Sequence, residues 1–426
     1  MIQPSIRLRS VTRALLELPW ETPLEDWSDQ LPFRALPVGP SRHLVRFIEL
    51  DQRLLALKEL PIRTARAEYD VLRELEAREF PSVRALGLVE RHDDDAAILV
   101  TEYLQHSFQF RRFFKRLPEG SRKHRERLLD AMASLLVDLH RSGVFWGDCS
   151  LANTLFRRDG QTLQAFFVDA ETSEVHPSLS RGQRLFDLEI LVENVAGDLA
   201  DLGALVGRDP ELVDDDIAAA QSVADRYHAL WAELHREVTI GSDERYMVEA
   251  HIRRLHDLGF GVEEVALDAA GPDRDVLKLR AVVTSRRFHA QQLRALTGLD
   301  VGEGQARILL NDLRAYEAGL ACRTYTDRPH LPALHDRWIQ EVFLPGSDAA
   351  VAALGGKVDP IQAYCDLLEV RWLLSEIAGR DVGTGSALEA LSARTAPPES
   401  SAIMAIADQL SSTVAAEEAD PDRAAA

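Results

Sequence analysis

Between Phe33 and Val168, short apolar runs bounded by polar turns alternate with stretches of helical spacing. Beyond Val168 the short runs give way to long amphipathic stretches. That order confines the N-terminal half to a small sheet with one helix among its strands, followed by a helical block. Leu44 to Ile48 and Leu54 to Leu57 read as strands. From Arg63 to Glu79 the apolar positions Ala67, Val71, Leu72 and Leu75 recur at helical spacing, and Pro81 closes the helix. Leu86 to Val89 and Ile98 to Thr101 form a further strand pair, with Asp93-Asp94-Asp95 as their turn. A long helix is expected over Arg122 to His140, ended by Gly143 in a left-handed cap. Leu163 to Val168 reads as a strand, and Arg184 to Val206 and Ile217 to Glu237 as amphipathic helices.

Past Gly241-Ser242-Asp243, a plausible boundary, the pattern is mixed. A helix is expected near Val248 to Leu258, strands near Val262 to Leu267 and Leu277 to Val283, then mostly helices to about Ala378. From about Thr395 the chain is rich in Ala, Glu, Ser and Pro, the composition of a disordered tail.

The length of 426 residues suits two or three domains. A net charge of −20 repels nucleic acid and anionic membrane unless a basic patch overrides it. The best candidate patch, Arg111, Arg112, Lys115 and Arg116, reads as the solvated face of a helix. No apolar run approaches the roughly 20 residues needed to span a bilayer. Met1 to Trp20 carries Arg7, Arg9 and Arg13 and lacks the apolar region of a secretory signal. Cys149, Cys322 and Cys365 are too scattered for a metal-ligand spacing or a disulfide framework, so a cytoplasmic location is expected.

Four segments carry chemistry in an informative order. Phosphoryl transfer asks a protein for cations on the phosphates and acids that hold a metal. Lys58 ends an apolar strand, where it can project into a cleft and pair with α- and β-phosphates. Glu68, on the following helix, is a candidate ion-pair partner for it, with Glu74 and Glu76 as rivals. Asp148 precedes Asn153 by five residues, in a turn that follows a helix and leads into a strand. That spacing lets the Asp meet an acceptor hydroxyl while the Asn folds back to a metal. Asp169 leaves the apolar run Phe166-Phe167-Val168, and Glu171 could reach the same ion. Leu99 to Leu104 reads as a strand running into a connector, where backbone groups of Glu102 and Leu104 could bind adenine.

Over roughly residues 33 to 240 the chain resembles the protein-kinase-like superfamily, and within it the lipopolysaccharide (Kdo) kinase branch. The resemblance implies an α+β, bilobal fold: a small antiparallel sheet lobe plus a helical lobe. It implies ATP and Mg2+ as cofactors. Lys58 is then the strand lysine, Glu68 its helix partner, Asp148 the catalytic Asp, and Asn153 and Asp169 metal ligands, with Glu171 beside them. The Asp-x-Glu form of Asp169 and Glu171 is similar to that of aminoglycoside and choline kinases. Trp146 to Ser150 and Val168 to Thr172 also resemble an uncharacterised bacterial family, in which such a domain is fused to a C-terminal domain of unknown function. The chain departs from the superfamily pattern in four places. Only Gly39-Pro40-Ser41 lies near the position of a glycine-rich loop. Trp146 replaces the usual His, Ser150 replaces a frequent Lys, and no Ala-Pro-Glu-like segment follows.

The expected organisation is an extension over 1–32, a kinase-like domain over 33–240, a mixed, mostly helical domain of unknown function over 241–390, and a tail over 391–426. The expected activity is ATP-dependent transfer of phosphate to a hydroxyl on a small molecule, sugar or lipid-linked acceptor. The alternative is a nucleotide-binding pseudokinase with a regulatory or scaffold role. The C-terminal domain is a possible site for a protein partner. There Glu249, Arg253 and Asp257 read as a salt-bridged surface. His251 and His256 lie on the same helix as these, His289, His330 and His335 read as structural histidines, and Asp300 as a helix cap. Trp338, Phe343 and Trp372 read as core or interface. Cys149 could be a reactive thiol or a buried small residue.

Overall fold

The computed structural model describes residues 3–9, 11–36, 42–112, 122–205, 213–241, 246–269, 276–323 and 331–404. The chain forms two compact units: Met1–Arg111, Met132–Arg157 and Ala165–Tyr227 make the first, and Arg112–Ala131, Arg158–Gln164 and His228–Ala426 the second.

The first unit carries a six-stranded antiparallel sheet of β1 (Ser5–Leu8), β2 (Phe33–Arg34), β3 (Leu44–Leu50), β4 (Arg53–Pro61), β5 (Ala85–Arg91) and β6 (Ala96–Glu102). Their spatial order is β1-β5-β6-β4-β3-β2. Side-chain alternation sorts its two faces. Ile48, Leu55, Leu57, Val89, Ile98 and Val100 pack in one cluster with Leu15, Leu18, Trp20, Leu24 and Trp27. The segment read as an extension therefore supplies five buried side chains of that core, and β1 pairs with β5. A single helical turn, α1 (Arg13–Leu16), begins this segment, and Trp20 meets Trp27 edge to face at 5.3 Å. Lys58 lies on the opposite face, in register with Val45 and Leu99.

Helix α2 (Ile62–Ala77) buries Ala65, Glu68, Val71, Leu72 and Leu75. Ala67, read from sequence as part of that stripe, is exposed, and Ala65 and Glu68 take its place. A carboxylate on a buried face requires a partner, and the site below supplies it. The chain leaves the helix at Glu79, whose φ is 55°.

Helix α3 (Arg122–Arg141) ends as expected, at Gly143 with φ +77°. A Cβ there would lie 2.1 Å from the His176 carbonyl oxygen, so only glycine fits. The short strands β8 (Val144–Phe145) and β11 (Glu174–Val175) pair antiparallel. Strands β7 (Ser107–Gln109), β9 (Thr154–Asp159) and β10 (Thr162–Phe167) form a three-stranded sheet. Helices α4 (Arg181–Leu205) and α5 (Val213–Leu234) follow. Asp214, Asp215 and Asp216 occupy the first turn of α5, where the helix dipole favours acids, so the helix starts ahead of its apolar pattern.

The second unit contains β12 (Val238–Gly241), α6 (Tyr246–Asp257), β13 (Val262–Ala269) and β14 (Val276–Val283), with strand order β12-β14-β13. β12 pairs with β14 and so belongs to the second unit, whose last segment begins at His228. Then come α7 (Phe288–Thr297), α8 (Glu303–Arg323), α9 (Leu331–Trp338), a π turn over Ile339–Phe343, α10 (Leu344–Ala353), α11 (Pro360–Ala378) and α12 (Gly383–Ser392). Trp338 and Phe343 belong to their shared core, whereas Trp372 is 58% exposed.

Asp300 does not cap α8; it bonds Arg287 at 3.1 Å. Asp159 takes that role, accepting from Gly304 N at 2.8 Å and Gln305 N at 2.9 Å. His251 is buried, His256 stacks on Phe288, His289 holds Glu303 at 2.6 Å and His335 holds Glu317 at 3.0 Å. His330 lies outside the described residues, as do Lys115, Arg116 and Gly39-Pro40-Ser41.

Of the segment read as a tail, residues 391–404 are folded. Ser401 N and Oγ donate to the Glu369 carboxylate at 2.8 and 2.6 Å, and Ala402 is buried. Residues 405–426 lie outside the described residues. Among the described residues no helix is long and apolar enough to cross a membrane.

Candidate active site

Lys58 leaves β4 toward three acids. Its Nζ lies 3.0 Å from Glu68 Oε2, 3.2 Å from Asp169 Oδ2 and 2.8 Å from Glu171 Oε1. The rivals of Glu68 are engaged elsewhere: Glu74 pairs with Arg78, and Glu76 with Arg9 and Arg84. His43, ahead of β3, places Nε2 2.9 Å from Glu171 Oε1.

Carboxylate oxygens of Glu68, Asp169 and Glu171 lie within 4.8 Å of one another. One lysine does not neutralise three acids. Burial, reinforced by Asp169 and Glu171, drives the Glu68 carboxyl up to about 7 despite the pull of Lys58. Burial works against the Lys58 ammonium, but the acids around it hold its pKa above the ordinary lysine range. Burial also opposes ionisation of Glu171, and the contacts from Lys58 and His43 outweigh it, so its pKa falls.

The Glu68 shift has a stability consequence. Its carboxyl titrates near 7 when folded, against an ordinary value of 4.5. Between those values the native chain binds the extra proton, so this contribution is full below the lower value and is lost as pH rises through the upper one. Glu68→Gln is expected to narrow the difference in melting temperature between about pH 5 and about pH 8, measured by scanning calorimetry. An unchanged difference would contradict the assignment.

The second group is a loop after β8. Gly147 turns it with φ +79°, where a Cβ would approach the Thr172 carbonyl oxygen to 2.8 Å. Asp187 of α4, fully buried, orders this turn. It accepts from Trp146 N at 2.7 Å, Gly147 N at 2.8 Å and Cys149 Sγ at 3.2 Å. His140 Nε2 donates to it at 3.0 Å, while His140 Nδ1 accepts from Tyr227 OH at 2.8 Å. Burial depresses the His140 pKa, with Asp187 pulling the other way, so the ring is neutral and this donor order is consistent. Asp198 accepts from Leu151 N at 3.0 Å and Ala152 N at 3.2 Å, and Ser150 Oγ accepts from Asn153 N at 3.1 Å.

Both carboxylate oxygens of Asp148 are thereby fixed. Asn153 Nδ2 donates to Oδ2 at 3.0 Å and to the Asp148 carbonyl at 3.1 Å, and Asn194 Nδ2 donates to Oδ1 at 3.3 Å. The Thr172 and Ser173 hydroxyls donate to the Trp146 carbonyl at 2.9 and 3.0 Å, tying the Asp169 segment to this loop. Trp146, at the position of the superfamily His, is buried edge to face against Phe167 at 5.2 Å. Phe167, two residues before Asp169, is thus braced by packing against an indole.

Glu102 and Leu104 stand apart. The Glu102 carboxylate holds Arg53 at 3.0 Å and Arg84 at 3.2 Å, and its amide bonds the Arg84 carbonyl. The Leu104 carbonyl accepts from Ser107 Oγ at 2.7 Å. Neither is hydrogen-bonded to the Lys58 group. Cys149 is buried, and burial together with Asp187 pushes its thiol well up. Of the two readings of Cys149, the buried small residue holds. A thiol reagent is expected to leave it unlabelled in the native protein and to label it after denaturation, read by peptide mass spectrometry. Native labelling at Cys149 would contradict this.

A magnesium ion fits the donor set. Asp169 and Glu171 are hard oxygen ligands beside a surplus of negative charge, and Asn153, whose Nδ2 faces Asp148, retains its Oδ1 as an acceptor. Sequence reasoning missed His43, Asp187, Asn194 and Asp198. For the last three a signal existed. They recur seven and four residues apart on the α4 face that otherwise buries Leu188, Leu191 and Val195. Polar groups within an apolar stripe require partners.

Residues 47–196 match the Lipopolysaccharide kinase (Kdo/WaaP) family. Residues 229–395 match Domain of unknown function (DUF4032). Among solved structures, WaaP in complex with acyl carrier protein is similar at 20% identity and a TM-score of 0.31, over 47% of this chain and 89% of that chain. No curated protein matches. The chain therefore carries, in order, a kinase-like segment similar to the lipopolysaccharide kinase (Kdo/WaaP) family and a mostly helical segment similar to a domain of unknown function.

Proposed function

We propose that the first unit is an ATP- and Mg2+-dependent phosphotransferase acting on a hydroxyl of a small molecule, sugar or lipid-linked acceptor. The observation that carries this reading is the convergence of Lys58 on Glu68, Asp169 and Glu171 at 2.8 to 3.2 Å, from three segments of the chain. Glu68 orients Lys58, and Lys58 donates to the α- and β-phosphates. Asp169, Glu171 and Asn153 would hold magnesium, which when bound offsets the charge on the phosphates. Asp148 takes the proton of the acceptor hydroxyl. Its two amide contacts aim the carboxylate. The Glu102 carbonyl and the Leu104 amide recognise adenine.

Trp146 and the missing glycine-rich pattern favour the second reading, a nucleotide-binding regulator. The double amide fixing of Asp148 favours catalysis, since a regulator has no use for an oriented base. A protein partner is assigned to the second unit, where Trp372 and Ile377 are 58% and 76% exposed.

The test is thermal shift with Mg2+ and ATP, followed by phosphate transfer to metabolite pools. Unaltered protein is expected to gain several degrees in melting temperature and Lys58→Met to gain almost none. Equal shifts in both would reject the assignment, and a shift without transfer would select the regulator.

A further inference from the structure

Residues 35–43 join β2 to β3 at the edge of the sheet that carries Lys58, and they hold a single glycine, Gly39. Triphosphates usually receive backbone amides from a glycine-rich segment, and this sequence lacks the glycines that let a backbone approach so closely. His43 stands two residues before Val45, the register partner of Lys58, so the two side chains share a face. Their nitrogens converge on one atom: His43 Nε2 and Lys58 Nζ lie 2.9 and 2.8 Å from Glu171 Oε1. His43 therefore stands beside Lys58 at the same half-buried acid, within ion-pair distance of it.

We propose that His43 is a phosphate-binding residue, donating Nε2–H to an oxygen of the β-phosphate or beyond when a nucleoside di- or triphosphate and its divalent cation are bound. This rests on the phosphotransferase reading. Asp169 and Glu171 would hold the divalent cation through the carboxylates beside which both nitrogens lie, leaving Lys58 and His43 to face the phosphates. His43 thus does with one imidazole what a glycine-rich turn does with amides.

Calorimetric titration of the full chain, His43→Ala and His43→Gln with Mg2+ alone and with Mg2+ plus ATP, ADP or AMP tests this. His43→Ala is expected to bind ATP and ADP about tenfold or more weakly. AMP, which lacks the β-phosphate, should change by less than about twofold. Mg2+ alone should bind as well or better, because Glu171 has lost a competing donor. His43→Gln, which restores an N–H at similar reach, should recover most of the ATP and ADP affinity. A variant damaged in folding would lose all four ligands together. Unchanged ATP affinity, equal losses for ATP and AMP, weaker Mg2+ binding or no recovery in His43→Gln would each overturn the assignment of His43. If the unaltered chain binds ATP and His43→Ala binds it equally, His43 alone is wrong. If the unaltered chain binds no nucleotide, the phosphotransferase reading falls with it.

Discussion

Asp148→Ala is expected to lower phosphate transfer by about a hundred- to ten-thousand-fold, the range for loss of a general base. Affinity for Mg2+ and ATP should fall far less, because Asp148 reaches the metal-holding residues only through Asn153, which keeps its bond to the Asp148 carbonyl. The separation follows from geometry. The contacts of Asp148 run to Asn153 and Asn194, and Lys58 is held by Glu68, Asp169 and Glu171. Steady-state kinetics and nucleotide titration on the same preparation give the two numbers. Undiminished turnover would remove Asp148 from the mechanism. An equal loss of affinity would mean that the two groups do not work separately.

The second large effect is on stability. Asp187→Ala strands the amides of Trp146 and Gly147 and the Nε2–H of His140 beside a buried cavity. Each unsatisfied buried donor costs about 1–3 kcal/mol. The first unit should lose roughly 3–5 kcal/mol and its melting temperature should fall on the order of 10 °C. Transfer activity should fall as well, since the loop that carries Asp148 hangs from this carboxylate. Asp187→Asn keeps the shape and one acceptor, so its loss should be smaller. Scanning calorimetry checks both variants. A melting point that does not move would show that the loop is ordered by its packing and not by Asp187.

Lys58, Asp148, Asn153 and Asp169 stood out in the sequence because each follows an apolar run or sits in the turn between a helix and a strand. Glu68 was legible only among rivals. Helical spacing alone placed Ala67 on the buried face, and the phase was decided by the pull of Lys58 on Glu68. His43 left no trace, because its role comes from a register between β3 and β4 that no single segment encodes. The place of β12 was hidden for a similar reason. The partner of β12 is β14, more than thirty residues further on, so Val238 to Gly241 looked like the end of the preceding helical block. At the C-terminus, composition counted Ser400 and Ser401 as disorder-prone. Their hydroxyls instead satisfy Glu369, an acid that is itself buried on α11. Such polar pairs across long separations are invisible to composition.

The account stands on a cation and a triphosphate meeting at Lys58, Asp169 and Glu171. Electron paramagnetic resonance of Mn2+, added in place of Mg2+ with ATP, reads this directly through the coupling of the metal to phosphorus. The unaltered chain should bind Mn2+ and ATP together with resolved phosphorus coupling, and Asp169→Asn and Glu171→Gln should each lose most of the bound metal. Phosphorus-coupled Mn2+ bound equally well by all three proteins, or by none of them, would contradict it.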